Sequence, residues 1–540
     1  MHIVRIGDSS TKRHSAEVVG AKAANLAHMA ALGLPVPPAF VLPVKLCAAI
    51  VSGEPSARAK LADGLTEGIR FLEGATGKVL GDRRRPLLVS VRSGAARSMP
   101  GMLDTVLNVG CTPAAVHGLV RMTGNPRFAW DCRRRFLESY GGVVLGVDPS
   151  SFTAQLTELV ATERADGEQA LDGEAIERLA GRYQQMIEDE DCVLSEDPTE
   201  QLMAAAQAVY RSWTSDRART YRELQHLENL RGTAVTIEAM VFGNLGLSSG
   251  SGVAFSRDPS TGAAQPVIDV LFGSQGEDVV SGSRNPDNED AIIRSAPAVA
   301  AQLRETLALL EKEFGDVQDV EFTIEDGKLW ILQTRSAKRT PQAALRFAVD
   351  LVREGLITPS QALRRLNGFD VNALDHKRLA GVHEPIARGT SASAGVAVGR
   401  AAFESASAER LAAGGEPVIL VRPDTSTADV AGFAASAGIV TAIGGRTAHA
   451  ALVARQMGKP CIVGCVGLVV DAASHSARIT DAVIKEGDWL SIDGESGAIY
   501  LGRCDIIVDR PEADLAEIER WRAHEPGAMH KLGHDAGVIA

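Results

Sequence analysis

Apolar residues along the 540-residue chain follow two rhythms, and the points where one replaces the other outline its organisation. From Ala21 to Leu32 the spacing is helical, with Leu26, Met29 and Ala30 on one face. Gly33-Leu-Pro-Val-Pro-Pro38 ends that helix, since proline removes backbone donors and fixes φ. Leu87-Leu-Val-Ser-Val91 reads as a short buried strand. Residues 110–230, rich in Ala, Leu, Glu and Arg, predict several helices. Within and near them, Glu188-Asp-Glu-Asp191 reads as a solvated turn, and Arg83-Arg-Arg85 and Arg133-Arg-Arg135 as solvated faces.

At Thr233 the texture changes. Ala234 to Phe242 is β-rich, Gly and Ser dominate to Gly252, and Val253-Ala-Phe255 follows. Asp319 to Ile324, Gly327 and Leu329 to Leu332 predict a hairpin. An α+β region therefore closes near residue 340. Ala343 to Glu354 and Ser360 to Leu366 predict a helical connector. Beyond it, short strands (Val418–Val421, Gly438–Ile443, Cys461–Val463) alternate with helical stretches, the mark of a compact α/β domain. One more helix is expected from Ala513 to Arg522. The division expected is 1–340, a linker or hinge at 341–384, a domain at 385–505 and a tail at 506–540, with no repeat of solenoid period.

Composition narrows the class without changing this outline. Hydrophobic residues make up 45% and charged residues 23%, as in soluble globular chains. The net charge of -12 argues against a general nucleic-acid binder. No apolar run is long enough for a membrane span, and the first residues lack the basic and apolar regions of a signal peptide. Seven scattered cysteines are no disulfide framework. Cys461 and Cys465 have the wrong spacing for a zinc knuckle and read as reduced thiols beside an apolar strand. A cytoplasmic protein is expected.

Three constellations could carry chemistry. In Gly444-Gly-Arg-Thr-Ala-His-Ala-Ala-Leu-Val-Ala-Arg455 an apolar strand stops at a double glycine, and a helix begins with His449 in its first turn. Unpaired N–H groups and the helix dipole favour an anion there. Neutral imidazole can attack phosphorus, and Thr447 could cap the helix or bond the ring. A histidine that merely caps or packs is the alternative. Second, Asp319, Glu321, Gln333 and Arg335 alternate with apolar residues across the expected hairpin, which puts them on one sheet face. Oxygen ligands of this kind suit Mg²⁺ with nucleotide phosphates, and an arginine beside them can stabilise a transferring phosphoryl group. An ordinary solvent-facing hairpin would show the same spacing. Third, Lys22 and Arg92 lie beside glycines and could bind phosphate, though each taken singly reads as a surface charge.

In order along the chain, Gly20-Ala-Lys-Ala-Ala-Asn-Leu26, Gly33 to Pro38, Ser90-Val-Arg-Ser-Gly94, Met99-Pro-Gly-Met-Leu-Asp-Thr105, Ala239 to Asn244, Ser249 to Phe255, Gln275-Gly-Glu-Asp278, Gln333-Thr-Arg335 and Gly444 to Arg455 resemble the pyruvate, phosphate dikinase family. The resemblance runs to about residue 505. It implies an ATP-grasp-type nucleotide-binding region followed by a compact α/β phosphohistidine swivelling domain. It further implies Lys22, Arg92 and Arg335 as phosphate-binding cations and Glu321 and Gln333 as Mg²⁺ ligands, with Glu277 and Asp278 near them in role. Glu238, Met240 and Val241 fall where the family holds adenine. His449 matches the histidine that takes the β-phosphoryl group from ATP. AMP then leaves, inorganic phosphate accepts the terminal phosphoryl group, and the phosphohistidine passes to pyruvate. Thr447 matches a position that some relatives phosphorylate for regulation.

Departures from the family pattern are specific. Gly-Gly-Met-Thr-Ser-His reads Gly444-Gly-Arg-Thr-Ala-His449 here, and Gly-Gly-Lys-Gly reads Gly20-Ala-Lys-Ala23. Residues 503–540 are too few for the pyruvate/phosphoenolpyruvate barrel, which takes roughly 250 residues. The expectation is an ATP half-reaction whose acceptor, pyruvate or another, lies on a separate chain. A small-molecule phosphotransferase of rifampin type and a non-catalytic ATP-binding regulatory protein are the competing readings.

Overall fold

A computed structural model describes residues 3–7, 13–97, 99, 101–281, 284–367, 376–424, 429–446, 448–471, 474–480 and 482–524. It divides into two compact units, Met1–Gly246 with Trp330–Thr334, and Leu247–Leu329 with Arg335–Ala540. Among the described residues no helix is long and apolar enough to cross a membrane.

The first unit is built on the apolar runs of the N-terminal half. Strands β1 (Val4–Ile6), β2 (Ala39–Leu42), β3 (Val89–Ala95), β4 (Thr105–Val109) and β5 (Thr233–Ala239) form one sheet in the order β1-β2-β5-β3-β4, with every pair antiparallel. Every residue of β2 and β5 is buried; β2 is a continuous apolar run, whereas β5 also buries Thr233, Thr236 and Glu238. Helix α1 (Ala21–Ala31) buries Ala23, Leu26, Ala27 and Met29, close to the face read from spacing, with Ala30 only half-buried.

Helices α2 (Pro126–Tyr140), α3 (Gly173–Asp189) and α4 (Pro198–Arg211) start where side chains cap them. Asn125 accepts from the Phe128 N–H, Asp172 from Ala175, and Asp197 from Thr199 and Glu200. Proline at the first position of α2 and α4 sets φ where no donor is needed. Phe136, Leu137, Ile176, Tyr183 and Val209 from these helices join Val89, Val91 and Val106 in one core.

One surface reading is overturned. Arg133, Arg134 and Arg135 are buried, not solvated. Arg134 and Arg135 converge on buried Asp131, at 2.8 Å and 3.0 Å, and the Asn244 amide adds a bond of 2.7 Å. Arg133 donates to the Cys111 carbonyl at 2.6 Å. Arg83 to Arg85 are exposed. The acidic run is exposed too, but Glu188 and Asp189 belong to the end of α3.

A second sheet consists of β6 (Gly250–Phe255), β7 (Val267–Phe272), β8 (Gln318–Glu325) and β9 (Lys328–Ser336) in the order β9-β8-β6-β7. The hairpin turns at Asp326 (φ 48°) and Gly327 (φ 74°), two adjacent left-handed residues, as a two-residue loop between twisted strands requires. Helix α5 (Pro341–Arg353) starts at Thr340, which caps Ala343. Its Phe347 and Leu351 share a core with Phe255, Val317, Leu515 and Ile518.

Eight further strands are β10 (Ala387–Arg388), β11 (Thr390–Ser393), β12 (Val396–Ala402), β13 (Val418–Arg422), β14 (Gly438–Thr441), β15 (Cys461–Val463), β16 (Trp489–Asp493) and β17 (Ala498–Leu501). They make one sheet in the order β10-β17-β16-β12-β13-β14-β15-β11. Strands β12 to β15 run parallel to one another, and the pairs that flank them are antiparallel. Helix α6 (His449–Gln456) connects β14 to β15, so His449 sits just past the C-terminal end of a parallel strand, where α/β sheets bind ligands. Helix α7 (Glu512–His524) ends the described chain. All seven cysteines are free thiols.

Candidate functional site

In the first unit, two glycines bring the segments that carry Lys22 and Arg92 into contact. Gly20 caps α1 with φ 81°, and a Cβ there would collide with the backbone of Gly94 in β3. Lys22 is the second residue of α1 and is exposed, and Arg92 lies two residues before Gly94. Arg92 donates to Glu238 at 3.2 Å, with Glu238 buried on the neighbouring strand β5. Met240 and Val241 follow β5 directly, half-buried, and the Met240 N–H donates to the Leu88 carbonyl at 2.9 Å. The amide of Asn25 on α1 donates to the Thr334 carbonyl at 2.9 Å, which ties the segment carrying buried Gln333 to the helix of Lys22.

In the second unit, Asp319, Glu321 and Arg335 do share a face. Arg335 donates to Asp319 at 2.8 Å and lies 3.9 Å from Glu321. Burial would weaken the charge of Arg335, but Asp319 and Glu321 outweigh it and hold the guanidinium above its ordinary pKa. Burial pushes the Asp319 carboxyl up, against the opposing pull of Arg335. Glu277 and Asp278 lie in the first turn of the helix Gly276–Ser281, where Asp278 accepts from the Gln275 N–H at 2.9 Å.

The loop before His449 is anchored at Gly444 and Arg446. Gly444 N–H donates to Asn285 at 3.0 Å. A Cβ at Gly445 would come within 2.5 Å of Pro286 and 3.0 Å of Asp269. Arg446 gives Asp269 both its backbone N–H, at 2.7 Å, and its guanidinium, at 3.1 Å. Asp269 is buried in the middle of β7, and burial pushes its carboxyl up despite Arg446 and Arg455. Helix α6 starts at His449, with Ala448 as its N-cap residue. Thr447 itself lies outside the described residues.

The sequence pattern singled out neither Asp269 nor Arg455. The signal for Asp269 was a lone carboxylate inside the apolar run Val-Ile-Asp-Val-Leu-Phe272. Arg455 looked like an ordinary basic residue at a helix end, but it is 1% exposed.

Two family patterns match the chain. "Pyruvate phosphate dikinase, AMP/ATP-binding domain" covers residues 56–300 and 296–354, and "PEP-utilising enzyme, mobile domain" covers 414–497. The chain belongs to the pyruvate, phosphate dikinase family. Pyruvate, phosphate dikinase 2 of Oryza sativa subsp. japonica is 40% identical over 520 residues, which is 95% of this chain and 58% of that protein. Pyruvate, phosphate dikinase of Rhizobium meliloti (strain 1021) is 41% identical over 536 residues, 95% of this chain and 59% of the relative. The chain thus spans somewhat over half the length of the dikinases it matches. The family's nucleotide-binding domain is of ATP-grasp type, and the mixed α/β multidomain architecture expected from the sequence is the one present.

Proposed function

We propose that this dikinase-family protein transfers a phosphoryl group from ATP to His449 and passes it on to a second acceptor. The observation that carries this reading is the anchoring of the histidine loop. Gly444 donates to Asn285 and Arg446 to Asp269, and Asp269 belongs to the same sheet as Glu321. The histidine helix is thereby held to the element that carries expected phosphate and metal chemistry.

In this reading the imidazole of His449 attacks the β-phosphorus of ATP and AMP departs. Inorganic phosphate then takes the terminal phosphoryl group as pyrophosphate, and the remaining phosphohistidine serves pyruvate or another acceptor. Lys22, Arg92 and Arg335 neutralise the phosphates, and Glu238, Met240 and Val241 hold adenine. Glu277 and Asp278 support the phosphate side, and Thr447 is a regulatory position. The segments 1–340, 341–384, 385–505 and 506–540 act as nucleotide-binding region, hinge, phosphohistidine domain and tail, in the cytoplasm.

Mg²⁺ fits the donors present. Among the described residues no group of three or more His, Cys, Asp or Glu is placed to hold a metal ion unaided. Glu321 and Gln333 offer one carboxylate and one amide oxygen, and Asp319 Oδ1 is buried without a hydrogen-bond partner among the described residues. So sparse a set of hard oxygens suits an ion that arrives with nucleotide phosphates and keeps some of its water. When bound, the ion would neutralise charge on the phosphates.

The test is incubation with Mg²⁺ and ATP labelled at the β or γ position, with and without inorganic phosphate. Acid-labile label from β-labelled ATP is expected on the protein and absent from His449→Ala. No label from β-labelled ATP overturns the reading. Addition of pyruvate then shows whether phosphoenolpyruvate forms on this chain or requires an acceptor on a separate one.

A further inference from the structure

Helix α6 carries a residue that reaches the sheet of β6 to β9, as Arg446 of the preceding loop does. Arg455, six residues after His449, is fully buried. Its guanidinium donates to the carbonyl of Arg446 and, at 3.1 Å, to that of Ala451. These two carbonyls bracket His449 in sequence, three residues before it and two after. The same guanidinium lies over the Phe255 ring at 5.2 Å. Asp319 stands directly opposite Phe255 on the paired strand, so the guanidinium over that ring faces it, and Asp319 and Asp269 both attract the charge. Asp319 is also the residue that grips Arg335.

A charge in that position is costly to bury, and burial draws the guanidinium down to about 10. Its Nη1 has no hydrogen-bond partner among the described residues, and neither has Oδ1 of Asp319. An aliphatic side chain of similar length would fill the space without that cost. What only a planar fork provides is a simultaneous hold on two carbonyls and a charge facing Asp319.

We propose that Arg455 is a positioning residue for phosphoryl transfer. It fixes the turn that presents His449 and, through Asp319, registers that turn to Arg335. The proposal rests on the phosphotransfer reading for its consequence, but the hold on the turn is a separate, measurable property. Transfer chemistry is steep in placement, and a shift of about 1 Å can cost about 100-fold.

The experiment compares the full chain with Arg455→Ala, Arg455→Lys and Asp319→Asn in two measurements. The first is amide hydrogen exchange of residues 446–451 without nucleotide. The second is the single-turnover rate of acid-labile labelling from β-labelled ATP, read against the ATP concentration that half-saturates it. Arg455→Ala is expected to speed exchange about tenfold or more and to slow labelling about 100-fold, with half-saturation changed by less than about threefold. Ethylguanidinium at non-denaturing concentration should fill the vacated space and restore both, while Arg455→Lys should restore neither fully. Asp319→Asn combined with Arg455→Ala should slow labelling less than the product of the two single losses. Unchanged exchange in Arg455→Ala overturns the proposal. So does a labelling loss that matches a rise in half-saturation, or one that ethylguanidinium leaves untouched. If the unsubstituted chain takes no label, the phosphotransfer reading falls, and the exchange comparison alone decides whether Arg455 holds the turn.

Discussion

Asp131 in the first unit and Asp269 in the second are equally hidden, each 2% exposed, and each faces two arginines. Their acidities nevertheless move in opposite directions. Burial pushes both carboxyls up. Around Asp131, Arg135 and Arg134 overcome burial and hold the carboxyl well below the usual range. Around Asp269 burial prevails over Arg446 and Arg455. The difference lies in the donors. Asp131 accepts three guanidinium N–H groups and one amide, whereas Asp269 accepts one backbone N–H and one guanidinium. Arg134 and Arg135 stand three and four residues along the same helix, so forming the helix already brings them to Asp131. Arg446 comes from 177 residues away. A buried carboxylate with a full donor set fastens a fold. One with a partial set forms a contact that is easier to open, which would suit a loop whose histidine, in the reaction proposed above, serves two partners.

The sharpest way to break this contrast is to remove the carboxylates. Asp131→Ala leaves two guanidinium groups buried without their anion and should cost about 3–5 kcal/mol in urea unfolding of the full chain. A loss under about 1 kcal/mol would erase the distinction. Asp269→Asn keeps an acceptor for the Arg446 N–H and should cost only about 1 kcal/mol, while amide exchange at Gly444 and Arg446 accelerates.

Acidity separates the two sites by sign. The folded pKa of Asp131 lies below its unfolded value, so its contribution is present above about pH 4 and lost as pH falls through the folded value. The folded pKa of Asp269 lies above its unfolded value, so its contribution is full below about pH 4 and lost as pH rises through the folded value. Between neutral pH and pH 3, the stability advantage of the unsubstituted chain over Asp131→Asn should therefore shrink. Its margin relative to Asp269→Asn should grow. Parallel trends in the two titrations would refute the assignment. The smallest effect belongs to an exposed arginine of the other triplet: Arg84→Ala should shift stability by less than about 0.5 kcal/mol.

The two triplets also mark where the sequence could be read and where it could not. Arg83 to Arg85 are exposed as their composition suggests, and Arg133 to Arg135 are not. Asp131, at helical spacing from Arg134 and Arg135, was the local clue to the second case. The further partners, Glu168 for Arg134 and Asn244 for Asp131, come from distant segments that no periodicity connects. The hairpin at residues 318–336, helix α1 and the helix start at His449 were legible because each depends on neighbours within a few residues: a left-handed turn pair, an apolar face, a strand that stops at glycine. The grouping of Asp319, Glu321 and Arg335 followed from period-two alternation. The holds on the histidine loop by Asp269, Asn285 and Arg455 did not, since they join residues on different elements through tertiary packing.

Strand β9 carries one more consequence, for the chain's synthesis. Its segment Trp330–Thr334 completes a unit whose other residues end at Gly246. There Ile331 N–H donates to the Pro35 carbonyl, and Thr334 accepts from Asn25. A growing chain elongates at about 5–20 residues per second, so these partners wait on the order of ten seconds while residues 247–329 are made. Until then the N-terminal portion leaves the ribosome with a gap that only a later stretch of its own message can fill. A synonymous codon change that slows translation between residues 247 and 329 would lengthen that wait without altering a single amino acid.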